Sequence, residues 1–360
     1  MNRLLSRTLL AVAVVFWTVL TAQAQVRHEI QFPDVGKYRT LKCDFHEHTV
    51  FSDGEVWPTV RVKEAWREGL DVIAITDHIE YQPHKKDVPT NLNRSYELAA
   101  DLAAERNIIL VHAAEITRDT PPGHFNALFL TDAKPLDTKD FYEVFKQAAD
   151  QGAFVFWNHP GWKGDEKGKW GEWQTKLYES KQLQGIEICN GDEYYKNAHR
   201  WAIERDLAMV GNADIHEPSL NCDPTPKKHR TITLIFTRDK TLDAVKEALF
   251  AKQTAVWYQN RLFGREDQLA PLFAACVRIS PPHYLDKDNV LVEVRNICEM
   301  DIELARDGST GPAKITLPAK STAVVKLPVP KEGQDLSYLA KNFLTAPGKP
   351  LPVKLVIPEK

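Results

Sequence analysis

Leu41-Lys42-Cys43-Asp44-Phe45-His46-Glu47-His48-Thr49, followed at once by Ser52-Asp53-Gly54, reads as a β-strand running into a polar turn. Alternation along a strand puts His46 and His48 on one face and Glu47 on the other. Two neutral imidazoles spaced this way at a strand end can chelate one divalent cation. Asp53 adds a carboxylate from the turn.

Working outward, the same arrangement recurs. Short β-rich runs lie at Leu41–Phe45, Val72–Thr76, Ile108–Ala114, Phe125–Leu130, Ala153–Trp157, Gly185–Ile188 and Ala208–Gly211. Helical patterns separate several of them, at 58–68, 93–106, 140–150 and 194–206. The second run ends in Thr76-Asp77-His78 and the third at Glu115. The fourth begins at His124, the fifth ends in Asn158-His159-Pro160, and the seventh in Asp214-Ile215-His216. Strands alternating with helices predict a parallel sheet with crossovers, open or closed into a barrel, and the C-terminal rim of such a barrel is where sites are built. A further strand, Thr231–Phe236, and a helix, Leu242–Phe250, complete this region.

The candidate ligand set is His46, His48, Asp53, His78, Glu115, His124, His159, Asp214 and His216. Six imidazoles and three carboxylates on one rim are costly to bury without a cation between them. They exceed what one ion needs, so the set predicts two to three divalent ions, Mn²⁺, Zn²⁺ or Fe²⁺. The other histidines contrast with these. His112 lies three residues before Glu115 and so faces the opposite way. His199 is mid-helix, His229 sits among Lys227, Lys228 and Arg230, and His28 and His283 lie outside the pattern. His84 follows a ligand strand and is a candidate to overhang the site.

Composition bounds the rest. The chain has 360 residues, 43% hydrophobic and 26% charged, with a formal net charge of −3. This is globular composition, with no electrostatic signature of a nucleic-acid scaffold. Arg3 and Arg7, the uncharged run Leu9–Leu20 and Ala22-Gln23-Ala24 predict a cleavable signal peptide over 1–24 and hence a periplasmic or secreted protein. No later run is long and apolar enough to span a membrane. The five cysteines have no metal-clip spacing and read as buried small hydrophobes. All nine tryptophans lie at or before Trp257, whereas ten of the 22 prolines fall in Pro281–Pro358. The β-type runs 290–294, 301–305, 313–317, 323–327 and 353–357 predict a small antiparallel sandwich there. The expected organisation is therefore 1–24 leader, 25–275 barrel and 276–360 β-module.

The ordered set His46-x-His48-Thr49-x-x-Ser52-Asp53-Gly54, Ile75-Thr76-Asp77-His78, Glu115, His124, Asn158-His159-Pro160 and Asp214-x-His216 resembles the PHP family, named for polymerase and histidinol phosphatase. With the leader and the β-module, the chain is similar to secreted PHP phosphodiesterases, including those acting on organophosphate diesters. The resemblance implies a distorted (β/α)7 barrel with a trinuclear centre. His46, His48, Glu115 and Asp214 would hold one metal. Bridging Glu115 with His124 and His159 would hold a second, and Asp53, His78 and His216 a third. Asp53 stands where some members have His.

The implied activity is a metal-dependent phosphoesterase, foremost a phosphodiesterase, acting on a small-molecule ester through a hydroxide shared between cations. Glu115, Asp214 and His216 would carry the chemistry. Arg118 is a candidate clamp for a phosphoryl oxygen. Trp162 and Lys163 are loop candidates, and Asp77 a candidate to orient a ligand imidazole. The alternatives are a phosphomonoesterase, another barrel metallohydrolase (a lactonase or amidase) and a catalytically silent metal-binding protein.

Overall fold

The computed structural model describes residues 26–220, 225, 228–329 and 336–358. The leader expected over 1–24 and Cys222 lie outside the described residues. Seven strands form the wall of the first domain: β1 (Arg39–Glu47), β2 (Val72–Ile75), β3 (Ile109–Ile116), β4 (Phe125–Leu128), β5 (Phe154–Trp157), β6 (Gly185–Asn190) and, after the two-residue β7 (Glu193–Tyr194), β8 (Ala208–Asn212). Helices α1 (Pro58–Arg67), α2 (Arg94–Glu105), α3 (Phe141–Asp150), α4 (Glu172–Glu179) and α5 (Lys196–Glu204) lie between them. Local chemistry sets their starts. Pro58 opens α1 in the first turn, where its missing N–H costs nothing. The Asp140 carboxylate caps α3 by accepting from the N–H groups of Tyr142 and Glu143.

β1, β2 and β3 run parallel, as do β5, β6 and β8. β4 runs antiparallel to both its neighbours, β3 and β5, which departs from the expected all-parallel sheet. The reason is chain length. The link 117–124 is shorter than the dozen or more residues a parallel crossover takes, so the chain returns as a hairpin. Closure is made by the segment after β8. The Asp214 N–H donates to the His46 carbonyl at 2.9 Å, the His48 N–H to the Ile215 carbonyl at 3.0 Å, and the Phe45 N–H to the Asn212 side-chain oxygen at 2.9 Å. The first domain is thus a distorted (β/α)7 barrel.

β9 (Ile232–Thr237) pairs antiparallel with β1, and after α6 (Leu242–Phe250) the hairpin β10 (Thr254–Tyr258) and β11 (Arg261–Gly264) extends the sheet. α7 (Glu266–Cys276) leads into an all-β domain. One of its layers comprises β12 (Val277–Ile279), β13 (Tyr284–Leu285), β14 (Asn289–Asn296) and, later in the chain, β17 (Ser321–Pro328). The other comprises β15 (Ile302–Arg306), β16 (Lys314–Leu317), β18 (Leu336–Ala346) and β19 (Lys349–Leu355). β18 also pairs in parallel with β11, through Leu262 opposite Phe343 and Phe263 opposite Leu344. The two domains therefore share one hydrogen-bonded sheet. Cys43, Cys189, Cys276 and Cys298 are buried free thiols. No helix among the described residues is long and apolar enough to cross a membrane.

Behind the barrel mouth lies a buried ion network. The Arg230 guanidinium, 3% exposed, reaches Asp44 at 3.1 Å and Glu68 at 3.1 Å, and also contacts Glu47. Burial pushes the Asp44 and Glu47 carboxyls above their usual range and Arg230 pulls them back. Removing one member of such a network leaves uncompensated buried charge, at about 3–5 kcal/mol. Arg230→Met is expected to lower the urea unfolding free energy by about that amount; a loss under about 1 kcal/mol would contradict this account of the network.

Candidate metal centre

The nine residues singled out by sequence meet at the rim where β1, β2, β3, β5 and β8 end. His46 and His48 come from β1 and the residue after it, His78 from the end of β2, and Glu115 from β3. His159 and Asp214 follow β5 and β8. His124 precedes β4, and the antiparallel course of β4 brings its start to the same rim as its neighbours' ends. Among the described residues their ligand atoms form four overlapping groups: His48 with Asp53, His78 and His216; His46 with His48 and Asp214; His46 with Glu115 and His159; and His78 with Glu115 and His124.

Glu115, fully buried, belongs to two of these groups and touches members of the other two. Its Oε2 lies 3.0 Å from His46 Nε2, 3.1 Å from His48 Nε2 and 3.3 Å from His78 Nδ1; its Oε1 lies 2.8 Å from His124 Nδ1 and 3.8 Å from His159 Nε2. Asp214 Oδ1 sits 3.1 Å from both His46 Nε2 and His48 Nε2. Asp53 reaches His216 Nε2 at 3.3 Å and His78 Nε2 at 3.4 Å. Yet His48 Nε2, Asp53 Oδ1 and Asp214 Oδ1 are buried and make no hydrogen bond. Atoms this close and still unbonded aim at common points between them rather than at one another. A divalent cation at such a point satisfies them all, so the donor set fits the metals that the sequence implies.

The backbone bends to deliver them. His159 and Asp214 both have positive φ, +27° and +52°, a conformation that side chains with a Cβ rarely adopt. The turn after His48 folds back so tightly that a Cβ on Gly54 would lie 2.5 Å from the His48 carbonyl carbon. Arg61, buried on α1, donates to the carbonyls of His48, Ile215, His216 and Glu217 and pairs with Glu64 at 2.8 Å. It thereby cinches the two chain segments that carry His48 and His216.

Charge follows geometry. Burial alone would push the His48 imidazole down; the Asp214 and Glu115 carboxylates beside it prevail and raise it to about 10. His46 is raised likewise, by Asp214, Glu187 and Glu115 against burial. Burial would lift Glu115, but His78 and His46 hold it well below the usual carboxylate range. His124 is pushed down by burial.

Glu187, on β6, was not among the sequence candidates. Its carboxylate is buried, sits 3.0 Å from His46 Nδ1, and accepts from Asn212 (2.8 Å), Asn190 (3.0 Å) and the His159 N–H (2.7 Å). Holding the Nδ1 proton turns the His46 Nε2 lone pair toward Glu115 and Asp214. Three other expectations change. Asp77 does not touch an imidazole; it accepts from the Thr49 N–H and hydroxyl and the Ser52 hydroxyl, and Ser52 in turn lies 3.3 Å from His48 Nδ1. Arg118 is not brought into the ligand cluster. Its guanidinium is engaged by Glu80 and by the carbonyls of Thr117 and Thr138. His84 is exposed and does not line the cleft. Outside the centre, His112 stacks on Tyr96 and His199 bonds the Tyr194 hydroxyl, while His229, read as structural or solvated, stacks on Trp257 at 3.4 Å.

A solved two-domain protein of Bacteroides vulgatus, containing a predicted PHP-like metal-dependent phosphoesterase, is 41% identical to this chain. The likeness covers 92% of this chain and 99% of that one, with a TM-score of 0.88. The chain belongs to the PHP-like family of metal-dependent phosphoesterases. This PHP-like chain also resembles the uncharacterized protein MJ1295 of Methanocaldococcus jannaschii, at 26% identity over 49% of this chain and 83% of that protein. Residues 277–356 match the family DUF5001, described as an Ig-like domain.

With carboxylates holding protons on His46 and His48, metal uptake must expel those protons. Apparent Mn²⁺ affinity is therefore expected to rise with pH between about 6 and 8, with proton release into a weakly buffered solution. Uptake without proton release, or affinity falling as pH rises, would contradict the electrostatic picture.

Proposed function

We propose that this PHP-like chain hydrolyses a phosphodiester of a small molecule at the nine-residue centre. The observation that carries the reading is the set of buried, unbonded donor atoms converging around Glu115 and Asp214 beside an open cleft of about 500 Å³. Divalent cations held there supply a water of lowered pKa and neutralise phosphoryl oxygens.

The chain's own residues do the rest. His46, His48, Glu115 and Asp214 hold one cation; His124 and His159 join Glu115 at a second, and Asp53, His78 and His216 form a third position. His216 Nδ1 lies 2.8 Å from the Asp214 carbonyl and donates to it, which leaves its Nε2 lone pair toward Asp53, as a ligand requires. Two features support a diester over a monoester. The described residues lining the cleft itself include no Lys or Arg, the Lys163 ammonium being held over the Trp162 ring, and Asp192 and Glu193 add negative charge to the cleft wall. A monoester dianion would meet repulsion there; a diester carries one charge fewer. Arg118, tied to Glu80, is not free to clamp a phosphoryl oxygen. The residues 1–24 support an exported enzyme.

Chelation is expected to abolish hydrolysis of methyl p-nitrophenyl phosphate, and Mn²⁺ or Zn²⁺ to restore it. Asp214→Asn should lower both metal content and turnover, the latter by about two orders of magnitude or more. Full turnover in metal-free buffer would overturn the proposal.

A further inference from the structure

The loop after His159 presents one large apolar side chain to the cleft. Trp162 is 47% exposed although its neighbours in the loop are tightly folded. Its backbone N–H donates to the His159 carbonyl at 3.1 Å, and the Gly164, Lys167 and Gly168 backbone N–H groups close successive turns. The loop comes back on itself so closely that a Cβ on Gly168 would lie 1.6 Å from the Pro160 carbonyl oxygen, so only glycine fits.

The position of the ring is specific. Its centroid lies 5.6 Å from that of His159, with the planes at 80°, and 5.7 Å from that of His124, at 55°. Both imidazoles belong to the Glu115 groups. The Lys163 ammonium sits 4.4 Å from the indole centroid, a cation–π distance. Trp57 and Trp173 are similarly exposed, but neither lines the cleft. An indole held open beside two ligand imidazoles, with a cation on it, offers a flat apolar face next to where a phosphorus centre would sit.

We propose that Trp162 and Lys163 form a subsite for a planar aromatic substituent of the ester, an aryl or nucleobase group stacked on the indole. This rests on the phosphodiesterase reading and names the class of substrate that reading leaves open. Stacking of a flat ring on an aromatic side chain is worth about 1–3 kcal/mol, so the preference for an aromatic over a methyl substituent should be about fivefold to a hundredfold. Trp162 acts on specificity and binding, and the cations are held without it.

The test compares methyl(phenyl)phosphinate with dimethylphosphinate, two probes that carry the single charge of a diester and that no ester hydrolysis consumes, by calorimetric titration of the Mn²⁺-loaded full chain. The native protein is expected to bind the phenyl-bearing phosphinate about tenfold more tightly. Trp162→Ala should bring the two affinities within about twofold, and Trp162→Phe should keep most of the preference. Metal content per chain should be the same in all three proteins, which separates loss of the subsite from loss of the fold. Equal affinities in the native protein, or a preference that survives in W162A, would overturn the subsite. Turnover of methyl p-nitrophenyl phosphate by the same native preparation tests the phosphodiesterase reading separately: a phenyl preference without turnover would sink that reading and leave the subsite standing.

Discussion

One buried carboxylate organises this structure. Glu115 has no access to water, and five imidazoles from four different parts of the chain stand within 4 Å of it. An ionised carboxyl in such a place would be expelled or neutralised in an apolar setting. Here the surrounding rings hold it ionised, and Asp214 shares two of them. That balance is drawn among groups whose remaining lone pairs are unspent. A metal centre accounts for both facts at once: why the carboxylates are buried, and why His48 Nε2, Asp53 Oδ1 and Asp214 Oδ1 are left without a hydrogen bond in their midst.

The barrel's irregularities serve this convergence. An all-parallel arrangement would leave the start of β4 at the wrong end, away from Glu115. Because the link from β3 is short, β4 reverses, and His124 arrives at the ligand rim from the N-terminal end of its strand. His159 and Asp214 reach their places only through left-handed backbone conformations, and the stretch 213–215 doubles as the seam that closes the barrel onto β1. Arg61 and Arg230 secure the same seam from behind, one through carbonyl oxygens and the other through carboxylates. The Ig-like domain joins the opposite part of the sheet through β11 and β18, so it braces the barrel and contributes no described residue to the cleft.

The strand-end rhythm of His, Asp and Glu was legible because each ligand follows or precedes an apolar run, and the structure gathers all nine into shared groups. Glu187 was not legible. It is a single carboxylate in Gly185-Ile186-Glu187-Ile188, with nothing in the local pattern to show that it faces His46 across the barrel. Asp77 stands beside a ligand, yet its partners lie some 25 residues earlier, in the turn it holds. Arg118 sits three residues after Glu115, but spacing could not reveal that Glu80 engages it. The strand Leu336–Ala346 was also missed: its Leu, Ala and Lys suit a helix as well as a strand, and pairing with β11 and β15 decides between them. Sequence periodicity reports which face of an element is buried; it does not report which distant element will be there.

The central claim is that Glu115 is a bridging ligand between cations. Anomalous scattering from crystals grown with Mn²⁺, recorded above and below the metal's absorption edge, tests it most directly. The account predicts at least two peaks, each within about 2.0–2.3 Å of a Glu115 oxygen, one flanked by His46, His48 and Asp214 and another by His124 and His159. A map with no peak at this rim, or with ions held by other residues while Glu115 stays bonded only to imidazoles, would contradict it.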